Sequence, residues 1–291
     1  MSNTVSLILK NPSIRISATG VFCFGFAGAA TAPYLSVIGI QELGMSDRGY
    51  ALVMAAGALI SVAASVLIGN LTDRLGSYRL MLAICAVSGF VGFTSVYLLP
   101  SIGSFALAKV VFIPLFTALY PLLFANVRTE TASLPSAEVA SVNSGIRAVL
   151  SLSWVLVPGV VGVALAESRN MLPAFLFAGM ASLACLALFV FGMAKPDKTL
   201  RVRSAESFFR AFAAFSQRGL WLRLLAIALM TAMLHMNAAV LPLLVTDQAG
   251  GAVADIGVLV GIVAALEIVF IIGWGYAERY MPQVAILIVG T

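Results

Sequence analysis

The chain has 291 residues, 61% of them hydrophobic and only 10% charged, with a mean hydropathy of +1.05. Soluble domains carry about 25% charged residues, so this composition excludes a water-soluble globular domain and describes a multi-pass membrane protein. The net charge of +5 is not a nucleic-acid footprint, because seven of the 17 basic residues fall in one stretch between apolar runs, where membrane topology accounts for them.

Runs of about 20 apolar residues are long enough to span a bilayer as helices. They fall near 14–40, 49–69, 80–99, 102–126, 146–166, 171–193, 222–246 and 254–277. Lys10 and Arg15 before the first run, with Ala27-Gly28-Ala29 inside it, resemble a signal peptide. The run continues to Ile40, so it reads as a retained first span. A ninth run begins near residue 281 and is followed for roughly eleven residues to Thr291, too few to cross a bilayer. The expectation is a chain cut off in span nine. Cys23, Cys85 and Cys185 lie scattered in apolar runs, which predicts neither a disulfide framework nor a metal site.

The basic residues set an orientation. With the N-terminus inside, the inside segments hold Lys10, Arg15, Arg74, Arg79, Arg128, Arg147 and Arg279. They also hold Lys195, Lys198, Arg201, Arg203, Arg210, Arg218 and Arg223, while the outside loops hold only Arg48 and Arg169. Excess lysine and arginine on the cytoplasmic side predicts a multi-pass protein of the cytoplasmic (inner) membrane with a cytoplasmic N-terminus.

Span two carries Gly57, Ser61, Ser65 and Gly69 at a spacing of four, a face on which another helix can pack closely in lipid. Pro33, Pro114, Pro121, Pro158 and Pro242 predict kinks in spans one, four, five and seven. Spans three and six have no interior charge and read as lipid-facing. Between spans six and seven, Phe208, Phe212 and Phe215 recur at helical spacing among arginines, the pattern of an amphipathic helix on the inner membrane surface. This stretch divides the chain into a six-helix bundle (1–193), a cytoplasmic linker (194–221) and an incomplete second bundle (222–291).

Ionisable groups inside spans are costly and mark function. Glu267 lies in the body of span eight, His235 near the middle of span seven two residues before Asn237, and Lys109 in span four. Lys109 sits about 10 Å from the outer end, at a rise of about 1.5 Å per residue. There is no Gly-x-x-x-x-Gly-Lys-[Ser/Thr] loop for ATP, a single histidine and no carboxylate cluster. The expectation is no enzyme activity, no cofactor and no metal.

The stretch Gly69 to Arg79 reads Gly-Asn-Leu-Thr-Asp-Arg-Leu-Gly-Ser-Tyr-Arg, wedged between spans two and three. Its Gly69, Leu71, Asp73, Arg74, Gly76 and Arg79 resemble the G-x-L-x-D-R-x-G-x-x-[RK] loop of the major facilitator superfamily. A degenerate echo, Gly273 to Arg279, ends span eight. Arg147 to Pro158 and Ala264 to Ile268 resemble the span-five and span-eight signatures of the sugar efflux transporter branch. The resemblance implies an all-α fold in which the first, fourth and seventh helices line a cavity, with the second, fifth and eighth around them. Lys109, His235, Asn237, Glu267, Tyr34, Tyr120, Arg147 and Trp154 then become candidates for substrate binding or proton coupling. Gly69, Asp73, Arg74, Gly76 and Arg79 become a conformational gate. The implied function is secondary active efflux of a sugar or sugar-like molecule by proton antiport. A drug or metabolite exporter of the same superfamily, and a non-transporting membrane fragment or sensor, are the competing readings.

Overall fold

The structure is a computed structural model that describes residues 6, 8–168, 170–193, 218–277 and 285. The described residues are helical and contain no strand. Seven of the helices are long and apolar enough to cross a membrane, from Pro12–Tyr34 to Leu220–Gln248. An eighth apolar helix, Val253–Ala277, follows them. Of the expected linker 194–221 with its surface helix, residues 194–217 lie outside the described residues, as do Arg279 and all of the expected ninth span but residue 285.

Local chemistry starts and stops these helices. Asn11 caps the first by accepting from the Ser13 and Ile14 amides at 2.9 and 3.3 Å, with Pro12 at the first helical position. Pro33 then ends the regular α-helix at Thr31, since its ring cannot donate and crowds the preceding turn. The span ends in a short 3-10 segment, Ala32–Tyr34, and a π segment, Val37–Glu42, follows it. Span four is interrupted likewise, by a π segment Ala108–Phe112 just before Pro114 and a break at Ala118 before Pro121.

Two boundaries differ from expectation. Gly69 is not part of a turn: the second helix runs Asp47–Leu75, and Gly69 has no neighbour where a Cβ would stand. The turn is Gly76 and Ser77 alone. Gly76 adopts φ 60°, and its N–H returns to the Thr72 carbonyl at 2.8 Å, a left-handed cap that favours glycine. Span five starts ten residues early, as the helix Ser136–Ala164. Its polar first turns lowered the hydropathy, yet Val142 and Ile146 are fully buried on the inner face.

An aromatic cluster joins spans two, three, four and six. Phe93 of span three meets Phe116 of span four edge-on at 5.3 Å and Phe175 of span six at 6.1 Å. Phe175 lies 6.2 Å from Phe105, which stacks at 6.4 Å on Tyr50 of span two. Spans three and six therefore each bury one face rather than standing wholly in lipid. The small-residue stripe of span two is used only in part. A Cβ on Gly57 would lie 2.5 Å from the Lys109 carbonyl oxygen, so this glycine lets spans two and four touch.

Candidate functional site

Spans one, four and five build one wall. Phe116, Tyr120 and Phe124 recur every four residues along span four and so share a face. Phe24 of span one lies 5.2 Å from Phe116 and 5.7 Å from Tyr120, and Tyr120 lies 4.9 Å from Phe124. The Arg147 guanidinium carbon sits 6.0 Å from the Phe124 ring centre. Trp154, two helical turns beyond Arg147, packs beside Gly28, where a Cβ would stand 3.6 Å from its ring. Phe24, Tyr120, Phe124 and Trp154 are half-buried and Arg147 is exposed, so the wall presents rings and one cation to open space.

Arg147 thereby changes place. Read as an inside-segment residue, it lies on the helix Ser136–Ala164 at the start of its apolar run rather than in a loop. Phe24 and Phe124 were not singled out in the sequence; the spacing of four from Phe116 to Phe124 was the signal for the second.

Tyr34, expected to face a substrate, is fully buried. Its hydroxyl donates to the Pro158 carbonyl of span five at 3.0 Å. Gly257 of span eight seats against this pair: a Cβ there would fall 2.5 Å from the Tyr34 hydroxyl oxygen and nearer still to the Pro158 oxygen. One turn up, a Cβ on Gly162 would lie 2.9 Å from the Ala254 carbonyl oxygen. At the same end of the molecule, Gln41 Nε2 donates to Asp247 Oδ1 at 2.7 Å and to Thr246 Oγ1 at 2.9 Å. Spans one and five of the first half thus grip spans seven and eight of the second at the Gln41 end.

Glu42, next to this grip, was missed by sequence reading. Its Oε1 accepts from the Met171 amide at 2.6 Å, and the other carboxyl oxygen is buried. Burial raises its carboxyl above the usual value, and the Met171 N–H opposes that shift.

The remaining candidates do not converge. Lys109 is half-buried in the π segment of span four, and among the described residues its ammonium has no polar partner. His235, Asn237 and Glu267 are exposed. His235 Nδ1 lies 2.9 Å from the Thr231 carbonyl of its own helix. At the opposite end from Gln41, Asp73 and Arg74 are exposed at the end of span two. Arg79 donates to the Val190 carbonyl, tying the start of span three to the end of span six. Among the described residues no group of three His, Cys, Asp or Glu side chains could hold a metal. An apolar depression of Phe22, Cys23, Phe26, Phe177, Met180 and Ala181 opens on the far side of span one from Phe24, and carries no polar group for a polar ligand.

A family model described as Major Facilitator Superfamily matches residues 17–291. A protein of Deinococcus radiodurans named "Putative sugar efflux transporter" is 25% identical over 269 residues, covering 92% of this chain and 69% of that protein. Sugar efflux transporter A of Escherichia coli K12 is 27% identical over 271 residues, covering 89% of this chain and 65% of its own length.

Proposed function

Because this chain belongs to the Major Facilitator Superfamily, we propose that it moves a sugar or sugar-like molecule out of the cell by alternating access, in exchange for protons. The sugar class comes from what its two relatives are named for. The observation that carries the mechanism is the asymmetry between the two ends. At the Gln41 end the halves are joined through Tyr34, Pro158, Gly257 and the Gln41–Asp247 bond. At the Asp73 end the two charges of the motif stand exposed. Such a molecule is closed at one mouth, and a second arrangement would break the first set of contacts and pair the charges at the other.

The distribution of basic residues supports an orientation with the Asp73 end in the cytoplasm and the Gln41 end outside. In this conformation the wall of Tyr120, Trp154 and Arg147 would then be open to cytoplasmic substrate. Glu267 is the proposed proton carrier. A carboxylate in an apolar span binds protons differently when Lys109 or His235 is near and when it is not, and that difference can couple proton influx to efflux. The bilayer is the only scaffold required, and ATP has no part.

Flux of labelled sugar through the purified chain in proteoliposomes, with and without an imposed pH gradient, tests the reading. Gradient-stimulated flux is expected. Absence of flux under both conditions would leave a non-transporting membrane protein as the better account.

A further inference from the structure

We infer that Arg147 selects an anionic group on the transported molecule, a carboxylate or phosphate carried on a hydroxylated ring that lies against Tyr120 and Trp154. The inference rests on the transporter reading and names the chemistry its wall would take.

Position comes first. Arg147 stands eleven residues into the helix Ser136–Ala164, at the edge where the polar first turns give way to the apolar run, and a cation facing that run is stabilised by a compensating partner. Among the described residues no carboxylate pairs with it. Among the described residues its contact is the Phe124 ring at 6.0 Å, and a ring accepts none of the five guanidinium N–H donors in a conventional hydrogen bond. The neighbouring acids are too far along the chain to help. In the first half the carboxylates are Glu42, Asp47, Asp73, Glu130, Glu138 and Glu167, each at or beyond a helix end. Glu138 is nine residues before Arg147 on the same helix, about 13 Å away along its axis. Lys109 adds a second cation with no partner among the described residues, so the first six spans carry positive charge and no interior acid.

Geometry comes second. Arg147 is exposed beside three half-buried rings, so its donors are free while one flank is fixed by Phe124. A planar fork held in this way matches the two oxygens of a carboxylate or phosphate. Tyr120 and Trp154 offer flat apolar faces with a polar edge, suited to the ring that bears the anion. A neutral sugar could accept the same hydrogen bonds but would leave the charge uncompensated.

Equilibrium binding to the full chain in nanodiscs, with D-glucose, D-glucuronate and glucose 6-phosphate as probes, tests this. One or both anions should bind more tightly than glucose, and which one does separates carboxylate from phosphate. Arg147→Gln should weaken the anions about 10-fold more than it weakens glucose, because the lost charge acts only on the anion. Arg147→Lys should keep the anion preference at lower affinity. The ranking of probes on the unaltered chain needs no variant and holds even if Arg147→Gln fails to fold. Glucose binding as tightly as both anions, or losing as much as they do in Arg147→Gln, would overturn the anion assignment and leave the transporter reading standing. No binding by any probe would also overturn it, and only with absent flux would the transporter reading fall as well.

Discussion

Gly257→Ala is a one-carbon test of the grip at the Gln41 end. The added Cβ would stand 2.5 Å from the Tyr34 hydroxyl oxygen, nearer still to the Pro158 carbonyl oxygen, and 3.1 Å from its carbon. Backbone cannot swing aside as a flexible side chain can, so spans five and eight must separate by about 1 Å to reach ordinary contact. Overpacking of this kind costs about 1–3 kcal/mol, and it is paid only while the two halves are joined here. The population should therefore shift by about 5- to 150-fold toward a molecule open at the Gln41 end. Gly261→Ala is the internal control: one turn further along the same helix, its Cβ would meet the Val155 carbonyl oxygen at 3.5 Å, an ordinary contact. Labelling of Trp154→Cys by a membrane-impermeant maleimide from outside reads the opening. Faster labelling in Gly257→Ala and none in Gly261→Ala is expected. Equal behaviour of the two variants would refute the reasoning.

Three further predictions concern charge. Asp73→Asn should lower transport while membrane insertion stays intact, because the pairing at the Asp73 end is lost; unchanged transport would reduce the motif to a helix cap. Glu267→Gln should abolish gradient-driven accumulation yet preserve substrate exchange, and uphill flux with an unaltered pH profile would place the proton elsewhere. Glu42 has a folded-state carboxyl raised mainly by burial, so the folded protein holds that proton more firmly than the unfolded one. Its share of stability is full below the ordinary carboxylate range and declines as pH rises through that range to the raised value. Thermal unfolding of Glu42→Gln should lack this decline, and an identical pH dependence in both proteins would count against it.

The sequence disclosed the helices better than their ends. Apolar runs stop where the membrane stops, but backbone hydrogen bonding does not, so Asn70 to Leu75 continue span two into polar surroundings and Ser136 to Ile146 begin span five in them. Gly76 was readable as a turn because a left-handed cap leaves a glycine at a fixed place. In the wall, Tyr120, Trp154 and Arg147 stood out as polar or amphipathic groups in apolar text. Phe24 has no such contrast, and only its 5.7 Å approach to Tyr120 reveals it. Tyr34 looked like a ligand platform because its burial depends on Gly162 and Gly257, more than a hundred residues away in the chain. Distance in sequence hid it.

The central claim is that this molecule must open at the Gln41 end to work. Gln41→Cys and Asp247→Cys replace the two groups that bond at 2.7 Å, in a background where Cys23, Cys85 and Cys185 are serine. A short, reducible bis-thiosulfonate bridge across the pair would hold that end shut. Counterflow of labelled sugar in proteoliposomes should stop on bridging and return on reduction. Counterflow that continues at the same rate through the bridged protein would contradict the account.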